Sequence, residues 1–441
     1  MRQRWPLVAL FLVVLLYFGG QSLMDLWANI LWYQSNGQLS VYLTLLTARS
    51  GVFLLIFMLF FLISALALRP LMNGLPVVRL RFAGRNGLPE QPPFSLSSLK
   101  PYLTAGIGLI AFLVALSESG TSQALRFIAA LNAPKTPLSD PVLQLPVGFY
   151  LFHLPVYNLL TSTTLDSLIF AIITSGLLGF FGQQITITSD KLLLQPAYRR
   201  ILMRLAGGIF ATLSIESLLM RTETVLSSHQ VLSGASYVDV HARIPAATIL
   251  AVLLLLTSLA FFLESFRSTF RLSAISAGLS LFFWIGGLIL YPSILSRFVV
   301  LPNQFNYEKP YILHNIAGTR RAYHIDGTRS ERISNLTDLT EKDLTDNLPT
   351  IRNIRLWDHR PMLTTVRQLQ QIRTYYTFPI LAPDRYRING TLRQVLVAPR
   401  ELSYANLPSP NWINVHLTYT HGHGLIMAPV NRVSSEGLPI F

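Results

Sequence analysis

Two pairs of residues have the types and spacing needed for acid–base or metal chemistry. Asp239 and His241 lie two positions apart, and such a pair is a candidate for general acid–base catalysis. His421 and His423 have the same spacing, and on a β-strand both side chains would face one side as two metal ligands. A zinc site needs three or four ligands, and His416 is one of the further candidates, with Asp239 and His241.

Each pair also has a purely structural interpretation. Gly422 and Gly424 are typical of a turn in which the two neighbouring histidines hydrogen-bond locally. Asp239 and His241 would then dock one part of the chain on another. The sequence contains no Walker A, G-x-G-x-x-G, H-E-x-x-H or G-x-S-x-G pattern. We therefore expect no cofactor and favour a protein that is not an enzyme.

Glu216 interrupts an apolar stretch that is long enough to cross a membrane. A carboxylate inside a span is costly and indicates a proton or ion pathway. The alternative is an interfacial salt bridge with Arg221, about one helical turn away. Asp166 and Glu118 fall near the ends of predicted spans and are interpreted as boundary residues.

Two groups of arginines are candidate anion-binding sites. The first lies beside a predicted span and is expected to contact anionic lipid headgroups; it comprises Arg69, Arg79, Arg81 and Arg85. The second would bind an acidic ligand, or would form a solvated helix face with acidic partners such as Asp358; it comprises Arg352, Arg355, Arg360, Arg367 and Arg373.

The composition indicates a membrane protein. Charged residues make up 13% of the 441 residues and hydrophobic residues 51%, which excludes an ordinary soluble or a disordered chain. The charge is uneven, because residues 298–441 alone carry 16 Lys/Arg and 11 Asp/Glu. The net charge of +14 is explained largely by loops flanking membrane spans, and no nucleic-acid partner is expected.

Seven apolar stretches approach the roughly 20 residues that a bilayer-spanning helix needs. They cover about 5–24, 50–68, 101–118, 167–189, 201–220, 244–263 and 272–296. We predict an all-α seven-helix transmembrane bundle over residues 1–297, followed by an α+β soluble domain over 298–441. The absence of cysteine means that this domain has no disulfides.

The distribution of Lys and Arg predicts the orientation. With a cytoplasmic N-terminus, the inside segments carry 13 Lys/Arg and the outside loops 5. Seven crossings then place the soluble domain outside the cytoplasm. If the fifth span, which contains Glu216, does not cross, the soluble domain lies in the cytoplasm instead. The expected location is the plasma membrane, with the lipid bilayer as one partner and an envelope or membrane protein as a second.

Local patterns predict the elements of the soluble domain. A helix is expected over 308–323, and Asp358 is a candidate N-cap for a helix near 361–375 that buries Met362, Val366 and Leu369. Residues 384–398 form a predicted hairpin, with Asn389-Gly390 at the turn. A short helix near 412–419 and a strand over 424–430 follow. The apolar ending at Phe441 suggests part of a longer gene product.

Several motifs give the chain a resemblance to a known family. They are Leu301-Pro302-Asn303 with Glu308-Lys309-Pro310-Tyr311-Ile312 and Asn315-Ile316; Thr350–Asp358; Arg367–Arg373; Tyr419–Gly424; Pro429–Val433; Gly234–His241; and Asp140-Pro141 with Gly148-Phe149-Tyr150. Together they resemble the large bacterial integral membrane proteins called uncharacterised protein family 0182, over nearly the whole chain.

The resemblance implies seven N-terminal helices and a large extracytoplasmic domain that continues beyond Phe441. Members more often carry Tyr at the position of His423, which favours the structural interpretation of the two histidines. No established activity comes with the family. The function expected is therefore a non-catalytic scaffold or accessory factor of the membrane or cell envelope. The alternatives are a transporter or channel, and a metal-dependent envelope hydrolase.

Overall fold

The computed structural model describes residues 5–73, 100–182, 184–188, 191–229, 232–267, 269–332 and 338–441, with the backbone alone for 5–18, 181, 186–188 and 191–193. The chain divides into two compact units, Met1–Thr328 and Arg329–Phe441. The domain boundary predicted at 297/298 lies inside the helical stretch Arg271–Ala322.

The first unit is almost entirely helical. Its helices are α1 (Trp5–Ser35), α2 (Leu39–Asn73), α3 (Lys100–Glu118), α4 (Thr121–Leu131), α5 (Leu154–Phe181), α6 (Pro196–Glu223), α7 (Ile244–Glu264), α8 (Arg271–Phe283), α9 (Tyr291–Leu295) and α10 (Gln304–Ala322). A short hairpin of β1 (Ile185–Thr188) and β2 (Lys191–Leu194) joins α5 to α6.

Six helical stretches in the described residues are long and apolar enough to cross a membrane. They are Leu39–Asn73, Lys100–Glu118, Phe149–Phe180, Pro196–Leu226, Asp239–Glu264 and Arg271–Ala322. Each contains most of one predicted span, and the predicted span 5–24 lies within α1. The span predicted over 167–189 was misplaced, since its helix begins near Phe149 and residues 185–188 form a strand. The count of seven spans stays a prediction.

Four segments of the first unit widen into π-helix just before a proline. Phe149–His153, Asp239–Arg243, Trp284–Leu290 and Ser296–Val300 are each followed by one residue and then by Pro155, Pro245, Pro292 and Pro302. Proline has no N–H, and its ring collides with the carbonyl four positions earlier. The preceding turn therefore widens instead of closing with regular α-helical hydrogen bonds.

Helices α6 and α7 pack closely because small residues face each other. The hydroxyls of Ser214 and Ser217 donate to the carbonyls of Ala251 (2.7 Å) and Ala247 (2.8 Å). Ser258 donates to the carbonyl of Gly207 at 2.7 Å. A side chain at Gly207 would lie 3.1 Å from the ring of Phe262. Small residues and interhelical hydrogen bonds of this kind hold helices together in an apolar environment.

The second unit packs helices against a small sheet. Its elements are α11 (Glu341–Asp346), α12 (Leu348–Ile351), α13 (His359–Gln370), β3 (Tyr376–Thr377), β4 (Ala382–Ile388), β5 (Thr391–Pro399), β6 (Glu401–Leu402) and β7 (Leu425–Pro429). Strands β4, β5 and β7 form an antiparallel sheet in that order, and β3 pairs with β6. The core joins α13 to this sheet through Met362, Val366, Phe378 and Leu396.

Several local predictions for this unit are confirmed. The hairpin pairs Ile388 with Thr391, and both turn residues, Asn389 and Gly390, have positive φ. Asp358 caps α13, and the N–H of Arg360 that it accepts lowers the pKa of its carboxyl. Leu369 was wrongly placed on the buried face, because it is 48% exposed. Residues 414–418 form a π-helical turn.

Asn353 extends the sheet beyond the end of β7. Its side chain donates to the carbonyl of Leu392 at 3.1 Å and accepts the N–H of Gln394 at 2.7 Å. Strand β7 pairs only with residues 395–399, so Asn353 replaces a strand next to the first half of β5. This contact gives hydrogen-bond partners to the edge of β5 that faces away from β4, where β7 does not reach.

Substituting Asn353→Ala should therefore loosen the first half of β5. Two backbone groups lose their partners, and we expect the local unfolding free energy to fall by about 2 kcal/mol. Hydrogen exchange of the peptide 391–399, followed by mass spectrometry, measures this. Asn347→Ala is the control, since that side chain donates only to the carbonyl of Asp343 in an exposed turn. Equal exchange in the two variants would contradict the assignment.

Candidate functional site

A large cleft lies within the first unit, at the end of the bundle that carries segments 119–148 and 224–238. Its volume is about 1430 Å³, and helices α3 to α8 contribute to its walls. Most lining residues are apolar. The polar ones are Glu118, Gln123, Arg126, Tyr150, Asn158, Thr161, Ser162, Glu216, Ser217, Glu223 and Ser280. The cleft thus combines an apolar body with a small set of polar groups, as binding pockets do.

Glu216 is one of two carboxylates of this cleft, with Glu118, that have no hydrogen-bond partner in the described chain. It is partly buried on α6, and it makes no hydrogen bond or ion pair with any described residue. Glu223 lies two turns further along the same helix face and accepts a hydrogen bond from Asn158. Both Glu223 and Asp166 are close enough to act electrostatically on Glu216. Helix α6 thus places two carboxylates, Glu216 and Glu223, in the lining of the cleft.

Three sequence interpretations of this region need correction. Glu216 forms no salt bridge with Arg221 in the described structure; the Arg221 Nε atom is instead buried without a hydrogen-bond partner. Asp166 is not a boundary residue, since it lies well inside α5 and is exposed. Glu118 does end α3, but it also lines the cleft.

Asp140 shapes the segment that precedes α5. Its carboxylate accepts the N–H groups of Val142 (2.8 Å), Leu143 (2.7 Å) and Leu145 (3.0 Å), and the hydroxyl of Tyr150 at 2.7 Å. Asp140 is buried, so these donors replace water around its charge. Because Tyr150 lines the cleft, Asp140 fixes one part of the cleft wall.

Asp239 organises the second segment at this end. It is fully buried. One carboxylate oxygen accepts the N–H and hydroxyl of Ser236, both at 2.8 Å, and contacts His229 Nε2 at 2.7 Å. The other oxygen accepts from Arg243 at 2.7 Å. The charge is therefore matched by two basic groups and by local donors, as a buried carboxylate requires.

The same cluster brings together serine, histidine and aspartate without forming a catalytic triad. Ser227 Oγ lies 3.1 Å from His229 Nε2, the nitrogen that also contacts Asp239 at 2.7 Å. A triad needs the aspartate on one ring nitrogen and the serine on the other, so that the ring can pass a proton. Here both partners meet the same nitrogen. The arrangement instead fixes the segment.

The predicted Asp239–His241 pair does not form. The His241 ring stacks on Tyr237 with 4.1 Å between ring centroids, and Nδ1 contacts the Tyr237 carbonyl at 3.1 Å. The partner that sequence reasoning missed is His229. It lies ten positions before Asp239, and only the path of the segment brings it close. No local spacing signals that contact.

The segment 232–238 is attached to α10. Glu308 accepts the N–H of Tyr237 at 3.0 Å, and Asn315 donates to the carbonyl of Ser233 at 2.6 Å. Tyr307 packs against Tyr237 with 4.8 Å between centroids. Two of the motifs that carry the family resemblance, Gly234–His241 and Glu308–Asn315, therefore meet in space.

His421 and His423 lie just before β7 and not on it. His421 Nδ1 contacts the hydroxyl of its neighbour Thr420 at 2.8 Å. A side chain at Gly422 would lie 2.1 Å from the carbonyl oxygen of Arg400, so only glycine fits there. The described residues contain no group of three or more His, Cys, Asp or Glu placed to share a metal. The metal pair stays a prediction.

The described residues include only part of the two predicted arginine groups. Arg69 is exposed on α2, while Arg79, Arg81 and Arg85 lie outside the described residues. In the second series, Arg367 donates to the carbonyl of Phe378 from Nε (3.0 Å) and Nη2 (2.8 Å), a structural contact within the unit. Arg355 and Arg360 lie within electrostatic range of Asp358.

Comparison with known proteins identifies the family. A family model described as "Uncharacterised protein family (UPF0182)" matches residues 6–441. The chain belongs to this family. The predicted resemblance is thereby confirmed, and no activity comes with the UPF0182 description.

Individual members of the UPF0182 family align with most or all of this chain. A UPF0182 protein of Geobacter sp. (strain M21) is 33% identical over 100% of this chain and 49% of its own length. One of Methanospirillum hungatei JF-1 is 34% identical over 97% and 48%. One of Trichodesmium erythraeum is 35% identical over 80% and 38%. The chain thus spans about half or less of these relatives. No solved structure matches it.

Substituting Asp239→Asn tests the role of the buried carboxylate. The neutral side chain removes the partner of His229 and Arg243 and turns an amide N–H₂ toward other donors. We expect a loss of about 3 kcal/mol of stability, measured by thermal unfolding in detergent. The exposed Asp326→Asn is the control for loss of one negative charge. An Asp239→Asn protein as stable as this control would show that the cluster does not hold the segment.

Proposed function

We propose that this UPF0182 protein is a multi-pass membrane protein that admits a small solute into the cleft of its helical unit, as a transporter or channel. The observation that carries the proposal is the unpartnered Glu216 carboxylate inside a cleft of about 1430 Å³. A carboxylate among apolar helices is costly and is retained where it meets a solute or a proton.

The other acidic residues at the same end of the bundle differ from Glu216, and this difference supports the proposal. Asp140 and Asp239 are buried, and loop donors occupy their oxygens. Glu308 accepts a backbone N–H. These carboxylates stabilise the fold through their hydrogen bonds, whereas Glu216 and Glu118 have no hydrogen-bond partner in the described chain. A group without a structural partner is the better candidate for a ligand contact.

The proposal adopts the orientation predicted from Lys and Arg. The N-terminus is then cytoplasmic in the plasma membrane, and the cleft faces the outside. Residues 1–297 form the membrane domain and 298–441 the extracytoplasmic domain. The positive-inside bias supports this arrangement.

A second candidate is the scaffold or accessory role, with a membrane or envelope protein as partner. One observation favours it. All seven residues of β4 are exposed, and in the described sheet β4 pairs on one side only, with β5. Exposed strand edges are common sites of strand addition by a partner. The hydrolase alternative has no comparable support.

Single introduced cysteines test the transporter proposal, because the chain has no cysteine of its own. Leu213→Cys places a thiol in the cleft. Ile173→Cys places one at a residue that is 59% exposed and does not line the cleft. In oriented proteoliposomes, a membrane-impermeant methanethiosulfonate is added to either side. We expect Leu213→Cys to react from both sides and Ile173→Cys to react slowly from either.

The result separates the two candidates. A cleft that conducts or alternates must be reached by water from each side in turn. Reaction of Leu213→Cys from one side only would contradict transport and would favour the scaffold. Reaction of both cysteines at equal rates would show that the cleft is not a distinct aqueous site.

A further inference from the structure

We propose that the ligand of the cleft is an organic cation, with a positively charged group joined to an apolar body. This inference rests on the proposed function, because it names the class of solute that the same cleft binds.

The charge of the lining favours a cation. Three carboxylates, Glu118, Glu216 and Glu223, line the cleft, against one basic side chain, Arg126. Arg126 is exposed on the short helix α4, and it forms no ion pair with the carboxylates of the described cleft. None of the three carboxylates therefore has an ion-pair partner in the described part of the chain. A cation placed beside Glu216 would reduce the repulsion among them.

The remaining lining favours an apolar body over a bare metal ion. Seven leucines of α5, α6, α7 and α8 line the cleft, together with the rings of Phe210 and Trp284. Aromatic faces attract organic cations, and more strongly when water is excluded. The volume of about 1430 Å³ exceeds the roughly 300–1,000 Å³ of ordinary small-molecule pockets. An inorganic ion would leave most of this surface uncovered.

The polar groups of the lining offer little to an anion. The Ser217 hydroxyl donates to the carbonyl of Ala247, and the Ser280 hydroxyl is shared with Thr257 at 2.9 Å. Asn158 donates to Glu223. These donors are thus engaged within the protein, which leaves Arg126 and Gln123 as the polar lining residues whose donors have no hydrogen bond in the described chain, against the free acceptors Glu118 and Glu216.

A pair of probes with equal shape and opposite charge tests the inference. Tetraphenylphosphonium and tetraphenylborate have nearly the same apolar surface and differ in sign. Equilibrium dialysis against the purified full chain in detergent measures the binding of each. We expect saturable binding of the cation only, and a loss of at least about tenfold in its affinity in Glu216→Gln.

Two further variants make the result specific. Asp25→Asn removes an exposed carboxylate of α1 that does not line the cleft, and it should leave the affinity unchanged. Glu216→Asp keeps the charge and should retain most of the binding. A Glu216→Gln protein that unfolds at the same temperature as the native chain excludes a folding defect as the cause.

The outcomes distinguish the inference from the proposed function. Equal binding of both probes, or cation binding that is indifferent to Glu216→Gln, would overturn the organic-cation class. If Leu213→Cys still reacts from both sides, the transporter proposal survives that failure. Cation binding that depends on Glu216, combined with reaction from one side only, would support the ligand class and overturn transport.

Discussion

The first unit depends on the hydrogen bonds that two buried carboxylates accept at one end of a helical bundle. Asp140 and Asp239 are both buried, and an unpaired charge there would be prohibitively costly. Each is stabilised by donors from its own connecting segment, and Asp239 also by His229 and Arg243. These contacts determine the paths of two irregular segments that have little secondary structure of their own.

The shape of the cleft follows from this constraint. Asp140 fixes Tyr150, and Asp239 fixes the start of α7 and the segment that α10 contacts. The widened turns before Pro155 and Pro245 lie at the same end. With both segments held in place, helices α5 to α8 leave an open volume between them, and Glu216 faces it without a partner. The carboxylates therefore have different roles. Asp140 and Asp239 hold the walls of the cleft in place, whereas Glu216 is available to a ligand.

Sequence patterns predicted the secondary-structure elements that are determined by residues close together in the chain. Apolar runs located the membrane helices, Asn389-Gly390 located the hairpin turn, and Asp358 located the start of α13. Boundaries were less accurate, because amphipathic and interfacial turns extend a helix beyond its apolar run. The span over 167–189 was shifted for this reason: the helix begins in the aromatic segment at Phe149 and ends before the β1–β2 hairpin.

Contacts at the candidate site depended on tertiary structure and were predicted only in part. Asp239 was recognised as a candidate, but the spacing suggested His241, while the folded segment supplies His229. Glu216 was recognised because a carboxylate in an apolar stretch is conspicuous. Its surroundings, Glu118 from α3 and Asn158 from α5, could not be inferred from one sequence, since nothing in local spacing relates residues on different helices.

The central claim is that Glu216 is free in an apolar cleft while Asp140 and Asp239 are held by the fold. Dicyclohexylcarbodiimide, an apolar reagent that modifies accessible carboxyl groups, tests it when the modified residues are identified by peptide mass spectrometry. The account predicts that Glu216 is modified and that Asp140 and Asp239 are not. Modification of either aspartate at the rate of Glu216, or an unreactive Glu216, would contradict it.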